Sequence, residues 1–264
     1  MAEPLKLDTR IVDRPWGRRG IDARFGLEPE RRVGEIWFEP PAPRELDVMA
    51  KYLFTEERLS IQVHPDDATA QARGHPRGKD ECWIILDVAD DAELGIGTVR
   101  EASADEVIAA ARDGSIVDLL DWRRPAVGDF LYNPAGTIHA LGAGLTVLEI
   151  QQAVDLTYRL FDYGRPRELH LEEAADVVDA RPHHHRLDTR VGEQSMLLVA
   201  GPHFGVAWCV GEPPVLPQSI RDVQLLPIDA EVAGVKSGEC ALIDPSEARR
   251  LRSDGTFVLA WSVD

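Results

Sequence analysis

The sequence predicts a mainly β protein, a barrel or sandwich of short strands with a few helices. Three observations carry that prediction. Short apolar segments recur at regular intervals, punctuated by Gly and Pro. Only two stretches carry the period of an amphipathic helix. Residues 59–67, LSIQVHPDD, alternate with the period of a strand, so that Gln62 and His64 project to one face while Ile61 and Val63 project to the other.

The elements follow in order. GEIWFEP (34–40), LDVMAKYLF (46–54), RLSIQVH (58–64) and ECWIILDVA (81–89) read as strands. SADEVIAAARDG (103–114) reads as a helix with a Ser cap, acidic residues in its first turn and a closing Gly. GDFLYNPAGTIHALGAGLTVLEIQQA (128–153) reads as strand, tight turn, strand, Gly turn, strand, with the first turn joining antiparallel partners. LHLEEAADVVDA (169–180) is expected to be helical, with Leu171, Ala174, Ala175 and Val178 on one face. DARPHHHRLDTRVGEQ (179–194) is polar and is expected to be a solvated connector, His183, His184 and His185 included. Five further strand signals lie between 195 and 263, so the expected domains are 1–185 and a smaller β region, 190–264.

Composition narrows the function. No apolar run is long enough to span a bilayer, and the charged N-terminus lacks the apolar core of a signal peptide. Three widely spaced cysteines argue against a disulfide framework and for a cytoplasmic location. A net charge of −17 disfavours nucleic acid and anionic membrane as partners. A small anionic substrate would need a local cluster of Lys and Arg.

In GDFLYNPAGTIHA, Pro134 and Gly136 set a turn that fixes where His139 enters its strand. The Gly128–Pro134–Gly136–His139 spacing resembles the second sequence motif of the cupin, a jelly-roll-like β-barrel, with Ala143 where that motif ends in Asn. The first cupin motif, His-x-His followed by Glu, reads here as Gln62-x-His64 with Glu81 after an insertion. Gln62, His64, Glu81 and His139 together suit one Zn²⁺ per chain with an open coordination position, and Mn²⁺, Fe²⁺, Co²⁺ or Ni²⁺ as well. Glu149, the rival carboxylate, reads as structural, Cys82 as packing, and His75 and His170 as surface.

A wider resemblance covers residues 14–170. RPWG, GEIWFE, LSIQVHPDD, GKDECWIIL, NPAGTIHALGAGLTVLEIQQ and DLTYRLFDYGR resemble type I mannose-6-phosphate isomerases in a compact bacterial form. The resemblance implies a zinc cupin that interconverts mannose 6-phosphate and fructose 6-phosphate through a cis-enediol. It implies metal binding by Gln62, His64, Glu81 and His139, phosphate contacts from Ser60 and Lys79, and an Asp155-x-x-x-Arg159 motif whose Arg serves catalysis. Arg165 is a further expected substrate contact, and Trp16 and Trp37 are expected along the site wall. The base stays open among a metal-activated hydroxide, Asp155 and Lys79. The chain departs from longer members at Gly78, where they carry a His implicated in ring opening, and in a nearly absent helical insertion before residue 60. Rival functions are an isomerase of another sugar phosphate such as glucose 6-phosphate, a sugar-phosphate-binding protein without catalysis, and an oxygenase. The oligomeric state is open between monomer and homodimer.

Overall fold

The computed structural model describes residues 3–263. Its strands form three antiparallel sheets. The seven-stranded sheet runs Thr189–Arg190, Asp129–Asn133, Glu81–Val88, Leu145–Gln152, Val48–Phe54, Glu35–Glu39, Asp8–Val12. The five-stranded sheet runs Tyr158–Phe161, Ile61–Val63, His139–Leu141, Leu94–Thr98, Leu120–Arg123. The six-stranded sheet holds Leu5–Lys6 and the five strands between Met196 and Ser262.

Period-two alternation explains the layering. Leu53, Trp83, Ile85 and Val147 of the seven-stranded sheet meet Leu94, Ile96 and Leu141 of the five-stranded sheet inside the barrel. Between them on the same strands, Tyr52, Cys82, Ile84 and Leu148 face the other way and pack against Val206, Trp208, Leu226 and Val258 of the six-stranded sheet. With both faces covered, these strands read as almost unbroken apolar runs, and a charged residue inside one must point into a lined cavity or a buried pair. Ile61 and Val63 pack outward against Val107, Ile108 and Ala111 of the helix Ala104–Asp113, leaving Gln62 to face inward.

That helix has the expected ends: Ser103 accepts from the Glu106 amide, and Gly114 closes it at φ 87°. The second expected helix is shorter, Leu171–Ala175. The chain leaves it because the Asp179 amide donates to Gly136, tying this segment to the turn before His139. The Pro134–Gly136 turn also differs from expectation. Asp129–Asn133 lies in the seven-stranded sheet and His139–Leu141 in the five-stranded one, so the turn crosses the barrel between sheets and does not close a hairpin. The connector is not solvated throughout: His183 is buried with Nε2 2.9 Å from Asp188 Oδ2, and its neighbour Pro182 bridges Gly97. Among the described residues no helix is long and apolar enough to cross a membrane.

Gly78 has a packing reason. A Cβ there would lie 2.3 Å from the Asp66 carbonyl carbon, 2.5 Å from the Asp67 nitrogen and 2.6 Å from the Pro65 oxygen. All three are backbone atoms, so no side chain fits without moving the Pro65–Asp67 turn, which follows His64 directly. Gly78→Ala is expected to destabilise the fold by about 1–3 kcal/mol. A lowered urea midpoint at unchanged slope would show it; an unchanged midpoint would contradict the close approach.

Candidate active site

Gln62, His64, Glu81 and His139 converge although they come from three strands and the turn that follows one of them. Gln62 and His139 are register partners. The turn is fastened to the same strand, because the Gly136 amide donates to the His64 carbonyl at 2.8 Å. Glu81 opens its strand opposite Asn133, whose Nδ2 donates to Glu81 Oε1 at 2.7 Å.

The ligand-type atoms of His64, Glu81 and His139 lie within 4.8 Å of one another, and all three residues are buried. His64 Nε2 is 3.5 Å from Glu81 Oε2, and His139 Nε2 is 3.2 Å from Glu81 Oε1. The hydrogen bonds set the tautomers. His64 Nδ1–H donates to the Leu156 carbonyl and His139 Nδ1–H to the Thr137 carbonyl, each at 2.9 Å. Both Nε2 atoms therefore present lone pairs to Glu81. Burial, reinforced by Lys79, brings the His64 pKa down to about 3, and burial lowers His139 too, so both rings are neutral near pH 7. Burial opposes ionisation of Glu81, but the Lys79 ammonium beside it outweighs burial and holds the carboxyl well below its usual range. Two neutral imidazoles beside a buried carboxylate form a donor set suited to a divalent metal.

Gln62 Nε2 donates to His139 Nε2 at 3.1 Å, and its Oε1 accepts from the Ser60 hydroxyl at 3.4 Å. Lys79 Nζ stands 2.7 Å from Glu81 Oε2 and donates to His64 Nε2 at 3.1 Å. Gln62 and His139 line a cleft of about 170 Å³ together with Ser60, Lys79, Asp155 and Arg159, while His64 and Glu81 are not among its lining residues. Asp155 is exposed and makes no hydrogen bond or ion pair among the described residues. Arg159 does not pair with it; its Nη1 donates to the Glu168 carbonyl.

Arg165 is not among the residues lining the cleft. Its guanidinium holds Asp162 at 2.9 Å and the Arg58 carbonyl at 2.6 Å, and Arg167, two residues on, lines the cleft in its place. Trp16 is on the wall as expected. Trp37 is not; its indole N–H donates to Glu35, and Trp83 takes the wall position.

Sequence reasoning missed Arg14, Glu35, Lys51 and Arg167, and left Glu149 as structural; all five line the cleft. Lys51 Nζ is 2.9 Å from Glu149 Oε1 and 3.4 Å from Glu35 Oε2, and Arg14 Nε donates to Glu35 Oε1 at 2.6 Å. The legible signal was a single Lys in VMAKYLF and a single Glu in LTVLEIQQ, on strands that turn out to be paired with Lys51 opposite Glu149. Burial pushes Glu149 up, reinforced by the Glu81 charge, against the pull of Lys51 and Lys79.

Glu35 behaves in the opposite sense. Burial raises its pKa, but Lys51 and Arg14 outweigh burial and bring it to about 2. Its contribution to stability is therefore present above the unfolded value near 4.5 and lost as pH falls towards 2. The loss is expected to amount to about 3 kcal/mol. Urea melts between pH 5 and 2 should show a stability slope that Glu35→Gln flattens; an equal slope in the variant would contradict the assignment.

The barrel and this site define a metal-binding cupin. No protein-family model matches the chain. It is 31% identical over 252 residues to the mannose-6-phosphate isomerase of Streptococcus mutans serotype c, covering 78% of each chain. It is 39% identical over 218 residues to mannose-6-phosphate isomerase ManA of Bacillus subtilis, covering 67% of this chain and 69% of that one. The crystal structure of the mannose 6-phosphate isomerase from Bacillus subtilis superposes with a TM-score of 0.80 at 25% identity, over 98% of this chain and 99% of that one. A zinc-bound mannose 6-phosphate isomerase shares the fold at TM-score 0.70 and 15% identity, over the whole of both chains. The chain belongs to the mannose-6-phosphate isomerase family.

Proposed function

We propose that this chain is a zinc-dependent aldose–ketose isomerase that interconverts mannose 6-phosphate and fructose 6-phosphate. The observation that carries the reading is the buried pair of neutral imidazoles against Glu81, one of which, His139, lines a cleft that also holds Arg14, Lys51, Lys79, Arg159 and Arg167. Gln62, His64, Glu81 and His139 would hold the ion, with the Gln62 amide turned to present its oxygen in place of its nitrogen. Bound there, zinc would supply Lewis acidity for the charge that develops on the substrate oxygens.

The protein side chains divide the rest of the work. Isomerisation moves a proton between C2 and C1, and negative charge builds on O1 and O2 on the way. Asp155, an acceptor with no competing partner among the described residues, is the base that takes and returns the carbon-bound proton. Lys79 donates from the cleft lining and stabilises the charge on the oxygens. Arg159 orients the enediolate with its planar fork. Ser60 stands at the metal end of the cleft beside Gln62.

The test is isomerisation of mannose 6-phosphate in D₂O by the zinc-loaded protein. Fructose 6-phosphate carrying solvent deuterium at C1 is the expected product. Absence of fructose 6-phosphate, with glucose 6-phosphate turned over under the same conditions, would overturn the substrate assignment.

A further inference from the structure

Resting on the isomerase reading, we infer that Arg14 and Arg167 bind the phosphate of the substrate, and that Ser60 and Lys79 do not. The shape of the substrate sets the first condition. The reacting carbons are C1 and C2, and the phosphate is on C6, at the other end of the carbon chain. A phosphate anchor must therefore stand away from the metal ligands. Ser60 and Lys79 fail that condition. Ser60 hydrogen-bonds Gln62 at 3.4 Å, and Lys79 Nζ is 2.7 Å from Glu81 Oε2.

A run of ion pairs connects the metal end of the cleft to Arg14. Glu81 meets Lys79 at 2.7 Å, Lys79 meets Glu149 at 3.7 Å, and Glu149 meets Lys51 at 2.9 Å. Lys51 then meets Glu35 at 3.4 Å, and Glu35 meets Arg14 at 2.6 Å. Arg14 is the last member of the chain and lines the same cleft as Arg159 and Arg167.

Arg14 and Arg167 both stand close enough to Arg159 to disturb it. Burial lowers the Arg159 pKa, and the charges of Arg167 and Arg14 lower it further. Carboxylates compensate only in part. Glu35 is divided between Arg14 and Lys51, and Asp162 between Arg165 and Arg167. Donors remain uncommitted: both Nη atoms of Arg14, Nε and Nη2 of Arg159 and Nη1 of Arg167 make no hydrogen bond among the described residues. Arg159 Nε is also buried. Converging, under-compensated guanidiniums with spare N–H groups suit a phosphate dianion, which accepts several charge-assisted hydrogen bonds at once. They also supply the local positive field that an overall charge of −17 makes necessary.

The experiment compares zinc-loaded wild type with Arg14→Gln, Arg167→Gln, Arg167→Lys and Ser60→Ala. Two readouts are taken: steady-state kinetics with mannose 6-phosphate, and calorimetric affinity for inorganic phosphate. Each Gln variant is expected to raise KM and weaken phosphate binding by about 10- to 100-fold. Turnover at saturation should stay within about threefold. Arg167→Lys should recover part of the loss, and Ser60→Ala should leave phosphate affinity unchanged. Unchanged KM and phosphate affinity in both Gln variants, or a loss confined to Ser60→Ala, would overturn the inference. Arg14 and Arg167 lie on separate segments, so a folding defect in one leaves the other decisive. A wild type that binds phosphate but does not isomerise mannose 6-phosphate would refute the isomerase reading alone, and the calorimetry would still decide the arginine site.

Discussion

Replacing His139 with alanine is expected to abolish metal retention and turnover together. His139 Nε2 is 3.2 Å from Glu81 Oε1, and Thr137 fixes its tautomer through Nδ1. No other histidine can substitute. His64 is already in the cluster, and His183 is held by Asp188 in the connector. The substitution also leaves Gln62 Nε2 without its acceptor and removes the ring packed 5.4 Å from Trp83. Turnover should fall by about 10³-fold or more, because stabilisation of charge on O1 and O2 is lost with the ion. Metal analysis after dialysis and a turnover assay check both halves. Full zinc occupancy with full activity would remove His139 from the site.

The second large effect is expected at Lys51. It is buried between Glu35 and Glu149 and lies 5.3 Å from the centre of the Trp37 ring. Burial opposes its charge, but Glu149 and Glu35 outweigh burial and keep it protonated. Lys51→Met fills the same space and removes the only cation within 3 Å of Glu149 among the described residues. Two buried carboxylates then face each other across a missing cation, and the fold should lose about 3–5 kcal/mol near neutral pH. The sign of the pH dependence follows. In the variant the carboxylates favour their protonated forms, so the deficit should shrink as pH falls towards their raised pKa values. Lys51→Met combined with Glu149→Gln should recover part of the loss, because the pair is coupled. Chemical denaturation of the two variants at pH 5 and pH 8 measures this. A loss independent of pH and of Glu149 would contradict the buried-pair account.

The barrel was legible because its strands obey a period of two. Gln62 and His64 share a parity, and so do Glu81, Trp83 and Ile85; the inward faces follow from the pattern alone. Turn chemistry was legible as well, since Gly136 takes a positive φ that few other residues tolerate. What the turn connects was not, because Pro134–Gly136 carries the chain from one sheet to another and local residues hold no record of the partner strand. The metal cluster was visible because its ligands sit in motif spacing. The cationic end of the cleft was not. Arg14 lies in the loop after the strand Asp8–Val12, Lys51 resembles a stray charge in an apolar run, and Arg167 follows Arg165 with equal claim. Both hold Asp162, and only three-dimensional placement separates the arginine that reaches the Arg58 carbonyl from the one that lines the cleft. Short strands such as Leu94–Thr98, LGIGT, escaped because two glycines mask their pattern. The helix at 171 stopped early for a tertiary reason, the Asp179 bond to Gly136.

The account stands most directly on metal-dependent turnover of one substrate. The protein is stripped with a chelator, restored with Zn²⁺ and given mannose 6-phosphate, while fructose 6-phosphate is followed through a coupled reaction. The account predicts no product from the stripped protein and activity that rises with zinc until one ion is bound per chain. Product formation without metal, or none at any metal from folded, zinc-loaded protein, would contradict it.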